Sequence, residues 1–158
     1  MLFHGNCLDI LPTLETDSVD LVCTDPYSEW THEGARSAKD VDKTMIDFKC
    51  TDGDTIRRVF VECGWICKTW IIATMDWRHI YQMSEKPPNG LRFVRFGIWV
   101  KPNGAPQFTG DRPGPGWEGI AFLHREGGKM NWNGGGNSSV FIENKRSTAR
   151  IQLASQSS

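Results

Sequence analysis

No stretch of this 158-residue chain approaches the ~20 consecutive apolar residues of a membrane-spanning helix, so no span is expected. No charged, apolar and small-residue signal pattern stands at its beginning, so export is not expected either. Cysteine does not form a disulfide framework. The five residues (Cys7, Cys23, Cys50, Cys63, Cys67) are odd in number and mostly lie in apolar stretches. That usage suits reduced thiols in an intracellular, cytoplasmic setting. Cys63 and Cys67 stand one residue further apart than a C-x-x-C clip, and no His pair follows at finger spacing. Buried thiol packing is expected there, and no metal. Internal repeats are missing, which excludes a solenoid.

Net charge is also nearly missing, at −1, yet it is unevenly laid out. Residues 1–85 carry 8 Lys and Arg against 15 Asp and Glu, whereas residues 86–158 carry 10 against 4. A basic half joined to an acidic half suggests a surface that meets a polyanion. The basic half also holds 12 of the 16 glycines, all between Gly90 and Gly136, together with Trp99, Trp117 and Trp132. The length fits one domain, enough to bury roughly 70% of its unfolded surface.

Apolar patterning places the elements. "LFHG" reads as a short strand, and Asn6 can cap a brief helix bearing Leu8, Leu11 and Leu14, cut short by Pro12. "VDLVCT" is an almost unbroken apolar strand of the kind buried on both faces. Residues 28–52 show no period. Ile56, Val59, Phe60 and Cys63 then fall on one side of a helix that Asp54 can cap and that either stops at Gly64 or continues through Cys67. "TWIIATM" is the next strand, "WRHIYQM" a short helix and "KPPNG" a turn. "LRFVRFGIWVK" and "IAFLHR" are two further strands, and "VFIENK" can add a last one. Two glycine-rich loops, "PNGAPQFTGDRPGPGWEG" and "EGGKMNWNGGGNSS", lie between and after them.

Strands alternating with helical crossovers predict an α/β fold with a mostly parallel sheet of about five strands. Ligands of such sheets bind outside the carboxyl ends of the strands. Asp25-Pro26-Tyr27 stands at one such end and Asp76-Trp77-Arg78 at another, so both clusters are expected on one rim. Asp76 can equally cap the helix that follows it. That alternative is weaker for Asp25, which leads into no helical pattern.

Four segments in order resemble the permuted (beta-class) DNA amino-methyltransferases. They are "LFHGNCLDILPTLETDSVDLVCTDPY", "GWICKTWIIATMDWRHI", "RFGIWVKPNGAP" and "GWEGIAFLHREG". The first is similar to that family's G-[DN]-x-L turn followed by S-V-D-L-x-x-T-D-P-P-Y, and the third to its W-x-K-P-N segment. A D-P-aromatic tripeptide alone is weak, but four ordered matches over about residues 2–145 are specific. The resemblance implies a Rossmann-like methyltransferase domain over residues 1–145, followed by a polar tail over 146–158. The implied activity is methyl transfer from S-adenosylmethionine to the exocyclic amine of a base in double-stranded DNA, adenine before cytosine by family frequency alone.

That amine is a poor nucleophile because its lone pair is delocalised into the ring. A carboxylate and a carbonyl accepting its two N–H hydrogens favour the pyramidal, reactive nitrogen and stabilise the charge that develops on it. By resemblance Asp25 is the side-chain acceptor, Pro26 supplies the carbonyl position and Tyr27 the ring on which an extruded base stacks. Trp30 is an alternative stacking ring. The cofactor rim implied is Asn6, Cys7 and Asp25.

The sequence departs from the family in two ways. D-P-P-Y is one proline short, which puts the positions of the carbonyl and ring in doubt. The later H-P-T-x-K-P and F-x-G-x-G segments are absent, and Gly134 to Gly136 follow no apolar strand and open no helix. The cofactor pocket is therefore expected to be incomplete, and the sheet to have an open edge that favours a second chain or self-association. The DNA face is expected to comprise Lys101, Arg112, Arg125 and Lys129 at phosphates, with Trp117 and Trp132 stacking or wedging at an opened pair. Two other readings remain: a non-catalytic DNA-binding or regulatory module, and one half of a split enzyme.

Overall fold

The computed structural model describes residues 1–26, 51–104, 110–114 and 116–142. The first helix, α1 (Cys7–Ile10), is capped by Asn6, whose side-chain oxygen accepts from Leu8 N at 3.0 Å. Pro12 turns the chain into a single 3-10 turn, Leu11–Thr13, and strand β1 (Val19–Thr24) follows. Residues 1–6 contain no strand.

Helix α2 (Gly53–Ile66) is capped by Asp52, not Asp54: Asp52 accepts from Thr55 N and Thr55 Oγ1, each at 2.8 Å. Two bonds to the charged oxygens outcompete Asp54, which lies in the first turn and complements the helix dipole instead. The bonds to Thr55 also hold the Asp52 carboxyl below its ordinary range. The helix does not stop at Gly64. That residue packs beneath Leu91, where an added Cβ would lie 3.1 Å from Leu91 Cδ2, so glycine here permits close approach to the sheet. Cys67 passes directly into β2 (Cys67–Met75), and Asp76 caps α3 (Trp77–Glu85). Strands β3 (Leu91–Val100), β4 (Trp117–Arg125) and β5 (Val140–Ile142) complete the sheet.

The sheet order is β1-β2-β4-β3-β5. It is mixed rather than mostly parallel: β1–β2 and β3–β5 are parallel, while β2–β4 and β4–β3 are antiparallel. The reason lies in the connections. A helix crosses from β2 to β3, whereas the described residues between β3 and β4 carry none, and a strand that returns without a crossover pairs antiparallel.

Successive residues point to opposite faces of the sheet. On one face Ile71, Ala73, Met75, Ala121 and Leu123 meet Ile56, Phe60, Cys63, Ile80 and Met83 of α2 and α3. Each fully buried large side chain contributes about 1.5–3 kcal/mol through lost apolar contact with water. The other face carries Trp70, Ile120 and Phe122 with Ile72, Val94 and Trp99 packed around them. β1 is not buried on both faces as its composition suggests. Among the described residues it is an edge strand; Val19 and Val22 reach the helix-side core, while Leu21, 49% exposed, faces solvent. Asp17, at φ 59°, bends the chain into β1; its N–H donates to Trp65 O at 3.2 Å and its carboxylate pairs with Arg125.

Cys63 and Cys67 are buried free thiols. Burial, and then the neighbouring Cys7, Cys67 and Glu62, push the Cys63 thiol up to about 12. Cys67 Sγ donates to Trp70 O at 3.2 Å.

Candidate active-site rim and nucleic-acid face

The strand pairings fix which ends of the sheet lie together. Thr24 pairs with Ala73, Met75 with Gly119, and Val100 with both Trp117 and Ile142. The carboxyl ends of β1, β2, β3 and β5 and the amino end of β4 thus share one rim. Asp25 follows Thr24 there as an exposed carboxylate, with Pro26 half-buried behind it. Tyr27 and Trp30, the two candidate stacking rings, lie outside the described residues, as do Cys50 and the 146–158 tail.

Asp76 ends the neighbouring strand at the same rim but is committed to α3. Its carboxylate accepts from Arg78 N at 2.8 Å and from the Arg78 guanidinium at 3.4 Å, and its side chain is only 14% exposed. Arg78 in turn lies over the Trp77 ring at 5.2 Å. Both readings of Asp76 hold together: it caps a helix and stands on the rim.

Lys101 also reaches this rim, turned inward. It forms an ion pair with Glu118, lies 4.5 Å over the Trp99 ring, and its side chain is 10% exposed. Lys101 N donates to Gly116 O at 2.8 Å, so the residue closes the neck of the β3–β4 loop. Its charge is already answered by Glu118 before any phosphate arrives. The partnership is hidden in the sequence, where 17 residues separate the two; only the pairing of Trp99 with Glu118 across β3 and β4 brings them together. Arg112 belongs to that loop and points to solvent, paired with its neighbour Asp111 at 3.0 Å.

The other proposed DNA contacts are dispersed. Arg125 ends β4 at the opposite rim, held by Asp17. Lys129 is exposed just beyond it, after Gly128, whose carbonyl accepts from Arg92 at 3.0 Å. Trp117 stacks edge-on against Phe96 at 6.4 Å, and Phe96 approaches Gly119 beside Ile80, which puts this indole on the helix side. Trp132 lies on the opposite face, against Trp70 at 5.2 Å and Phe122 at 5.8 Å. Lys101, Arg112 and Trp117 therefore share the rim with Asp25, while Arg125, Lys129 and Trp132 do not.

For the implied cofactor rim, Asn6 spends its carboxamide oxygen capping α1, and Cys7 lies near enough to Cys63 of α2 to raise its pKa. Both thus sit on the helix-bearing side. Two cavities among the described residues, of about 260 and 380 Å³, lie respectively on the helix-free face and around Gly64, Gly90 and Arg125, away from Asp25. Among the described residues no three His, Cys, Asp or Glu side chains could hold a metal ion, and no helix is long and apolar enough to cross a membrane.

No family model and no curated sequence matches this chain. Its fold is nevertheless shared with DNA methyltransferases of known structure. It superimposes on M1.HpyAVI in complex with SAM with a TM-score of 0.61 at 14% identity, covering 90% of this chain and 66% of that one. Uncomplexed M1.HpyAVI gives 0.58 at 16% identity. The PvuII DNA methyltransferase, cytosine-N4-specific, gives 0.58 at 11% identity, covering 96% of this chain and 60% of the other. The chain thus spans less than two thirds of the length of the structures it resembles.

Proposed function

We propose that this chain is the base-activating portion of a beta-class DNA methyltransferase that modifies the exocyclic amine of adenine. The observation that carries the reading is Asp25: an exposed carboxylate after a parallel strand, on the rim to which the loop bearing Arg112 returns, within a fold shared with DNA methyltransferases. Asp25 accepts one N–H of the amine and the carbonyl of Pro26 the other. The nitrogen lone pair is thereby freed to attack, and the surplus proton leaves towards the carboxylate. S-adenosylmethionine would supply the electrophilic methyl group, its methyl–sulfur bond breaking as the new N–C bond forms and S-adenosylhomocysteine leaving as the neutral thioether. Arg112, and more distantly Lys129, meet the phosphates of duplex DNA; Tyr27 stacks the extruded base.

We infer only part of a cofactor wall from the described residues: Asn6 uses its side-chain oxygen to cap α1, and Cys7 is an exposed free thiol. Weak binding of S-adenosylmethionine by the chain alone follows. One observation favours completion by a second chain or copy: among the described residues β1, the strand leading to Asp25, is an edge strand with Leu21 and Cys23 exposed.

The test uses duplex DNA and methyl-labelled S-adenosylmethionine, with identification of the methylated nucleoside. N6-methyladenine is expected, and Asp25→Ala should lower the yield by at least about 100-fold while leaving duplex affinity unchanged. Label on N4 of cytosine would correct the target base. Duplex binding without any methyl transfer, even at saturating cofactor, would make the chain a DNA-binding module. Calorimetric titration with S-adenosylmethionine reads the incomplete pocket; tight binding by this chain alone would contradict it.

A further inference from the structure

The helix-free face carries a built aromatic slot that methyl transfer does not use. Phe122 of β4 forms its floor. Trp132 stands perpendicular to that ring at 5.8 Å, and Phe141 of β5 lies 6.3 Å from it, tilted by 31°. The cavity beside them measures about 260 Å³, opens to solvent, and is lined also by Trp70, Val94, Arg95 and the 135–139 loop. Both flanking rings keep free surface, Trp132 being 46% exposed and Phe141 40%.

Several interactions fix the walls in place. Trp70 Nε1 donates to Asn131 O at 2.7 Å, tying the loop to the sheet next to Trp132. Gly134 lies so close under the indole that an added Cβ would be 2.5 Å from Trp132 Nε1. Asn137 Nδ2 donates to Gly134 O at 2.7 Å, Ser139 Oγ to Phe96 O at 3.1 Å, and Ile98 N to Ser139 O at 2.9 Å. The slot is therefore held between two anchored strands before any ligand enters.

A space a little under the 300–1,000 Å³ typical of drug-sized ligands admits one flat heterocycle and its sugar. Trp132 and the Phe122 floor stand at right angles, which suits a flat guest that lies on one ring and meets the other edge-on. Exposed Arg95 supplies a guanidinium at the wall, the group that best grips a phosphate. We propose that this slot binds a single nucleotide, its base between Trp132 and Phe141 and its phosphate on Arg95. The nucleotide is either free or an unpaired residue of a nucleic-acid strand. The site is separate from Asp25 and does not depend on the methyl-transfer reading.

The test follows tryptophan emission of the full chain during titration with adenosine 5′-monophosphate, adenosine, or a single-stranded deoxyadenosine octamer. Saturable quenching by the monophosphate or the octamer is expected. Phe141→Ala and Trp132→Ala should each weaken it about tenfold, the size of one lost base–aromatic stack, and Trp132→Phe should retain most of it. Arg95→Gln should weaken the monophosphate about fivefold and leave adenosine unchanged. Binding of the monophosphate alone identifies a free nucleotide as the ligand, and binding of the octamer alone identifies a strand. Asp25→Ala and Arg112→Ala should leave monophosphate affinity as it is, so failure of the rim reading does not touch this one. The proposal falls if neither probe binds at about 5 mM, weaker than any site of use, or if Arg95→Gln and Phe141→Ala leave both affinities unchanged.

Discussion

The two faces of the sheet are built from the same strands and differ in what covers them. On one side α2 and α3 seal Phe60, Ile56, Ile71 and Leu123 completely from water. On the other, a glycine-rich loop lays Trp132 across Trp70 and Phe122 and leaves nearly half of that indole wet. The first face is organised as a core and the second as a surface with a slot in it. Stability should therefore depend on the first face, and recognition on the second face and the rim.

That division can be broken by measurement. Phe60→Ala should show the largest effect, about 3–5 kcal/mol lost in denaturant unfolding, because the ring leaves a cavity between helix and sheet. A loss near 1 kcal/mol would mean the helix face is loosely packed. Alkaline pH gives the next effect. The buried Cys63 thiol titrates at about 12 when folded, above its ordinary value near 9, so the unfolded chain releases its proton first. Stability is thus fully present below about pH 9 and declines towards pH 12 by roughly 1 kcal/mol per unit. Cys63→Ala should flatten that decline, seen as a smaller fall in Tm between pH 8 and pH 10.

Smaller changes sharpen the contrast at the rim. Asp76→Ala removes the α3 cap and should cost about 1 kcal/mol. Asp25→Ala should change stability by less than about 0.5 kcal/mol, since the carboxylate is exposed. Equal losses in the two variants would show that both aspartates are structural, and the methyl-transfer reading would fail with them.

Much of the helix-side face is legible in the sequence. The spacing of Ile56, Val59, Phe60 and Cys63 marks the buried side of α2, and the apolar runs mark β2, β3 and β4. The direction of the strands is not legible, because parallel and antiparallel pairing depend on whether a connection carries a helix, and the described residues between β3 and β4 do not. β1 misleads for a related reason: its composition suits a central strand, but composition does not say which neighbours are present. Asn6 is legible as a cap because Asn before Leu-rich helical spacing has a local mechanism, whereas Asp52 and Asp54 compete within two residues and only geometry decides between them. The rim follows from where apolar runs end in aspartate. The inward turn of Lys101 does not, because it needs the register of Trp99 against Glu118. Arg125 and Lys129 share the positive charge of Arg112, but sequence charge carries no address, and the strand direction of β4 sends them to the far rim.

Asp17 gives the strand beneath Asp25 a fixed footing. Its left-handed turn is tethered through its amide to the end of α2 and through its carboxylate to Arg125, and β1 then runs about 20 Å to the rim. From there the strand stays paired with β2 as far as Thr24, and Asp25 follows at its far end. Asp17→Ala removes that footing without altering a single atom near Asp25, so on the methyl-transfer reading a loss of activity would originate a whole sheet-length away.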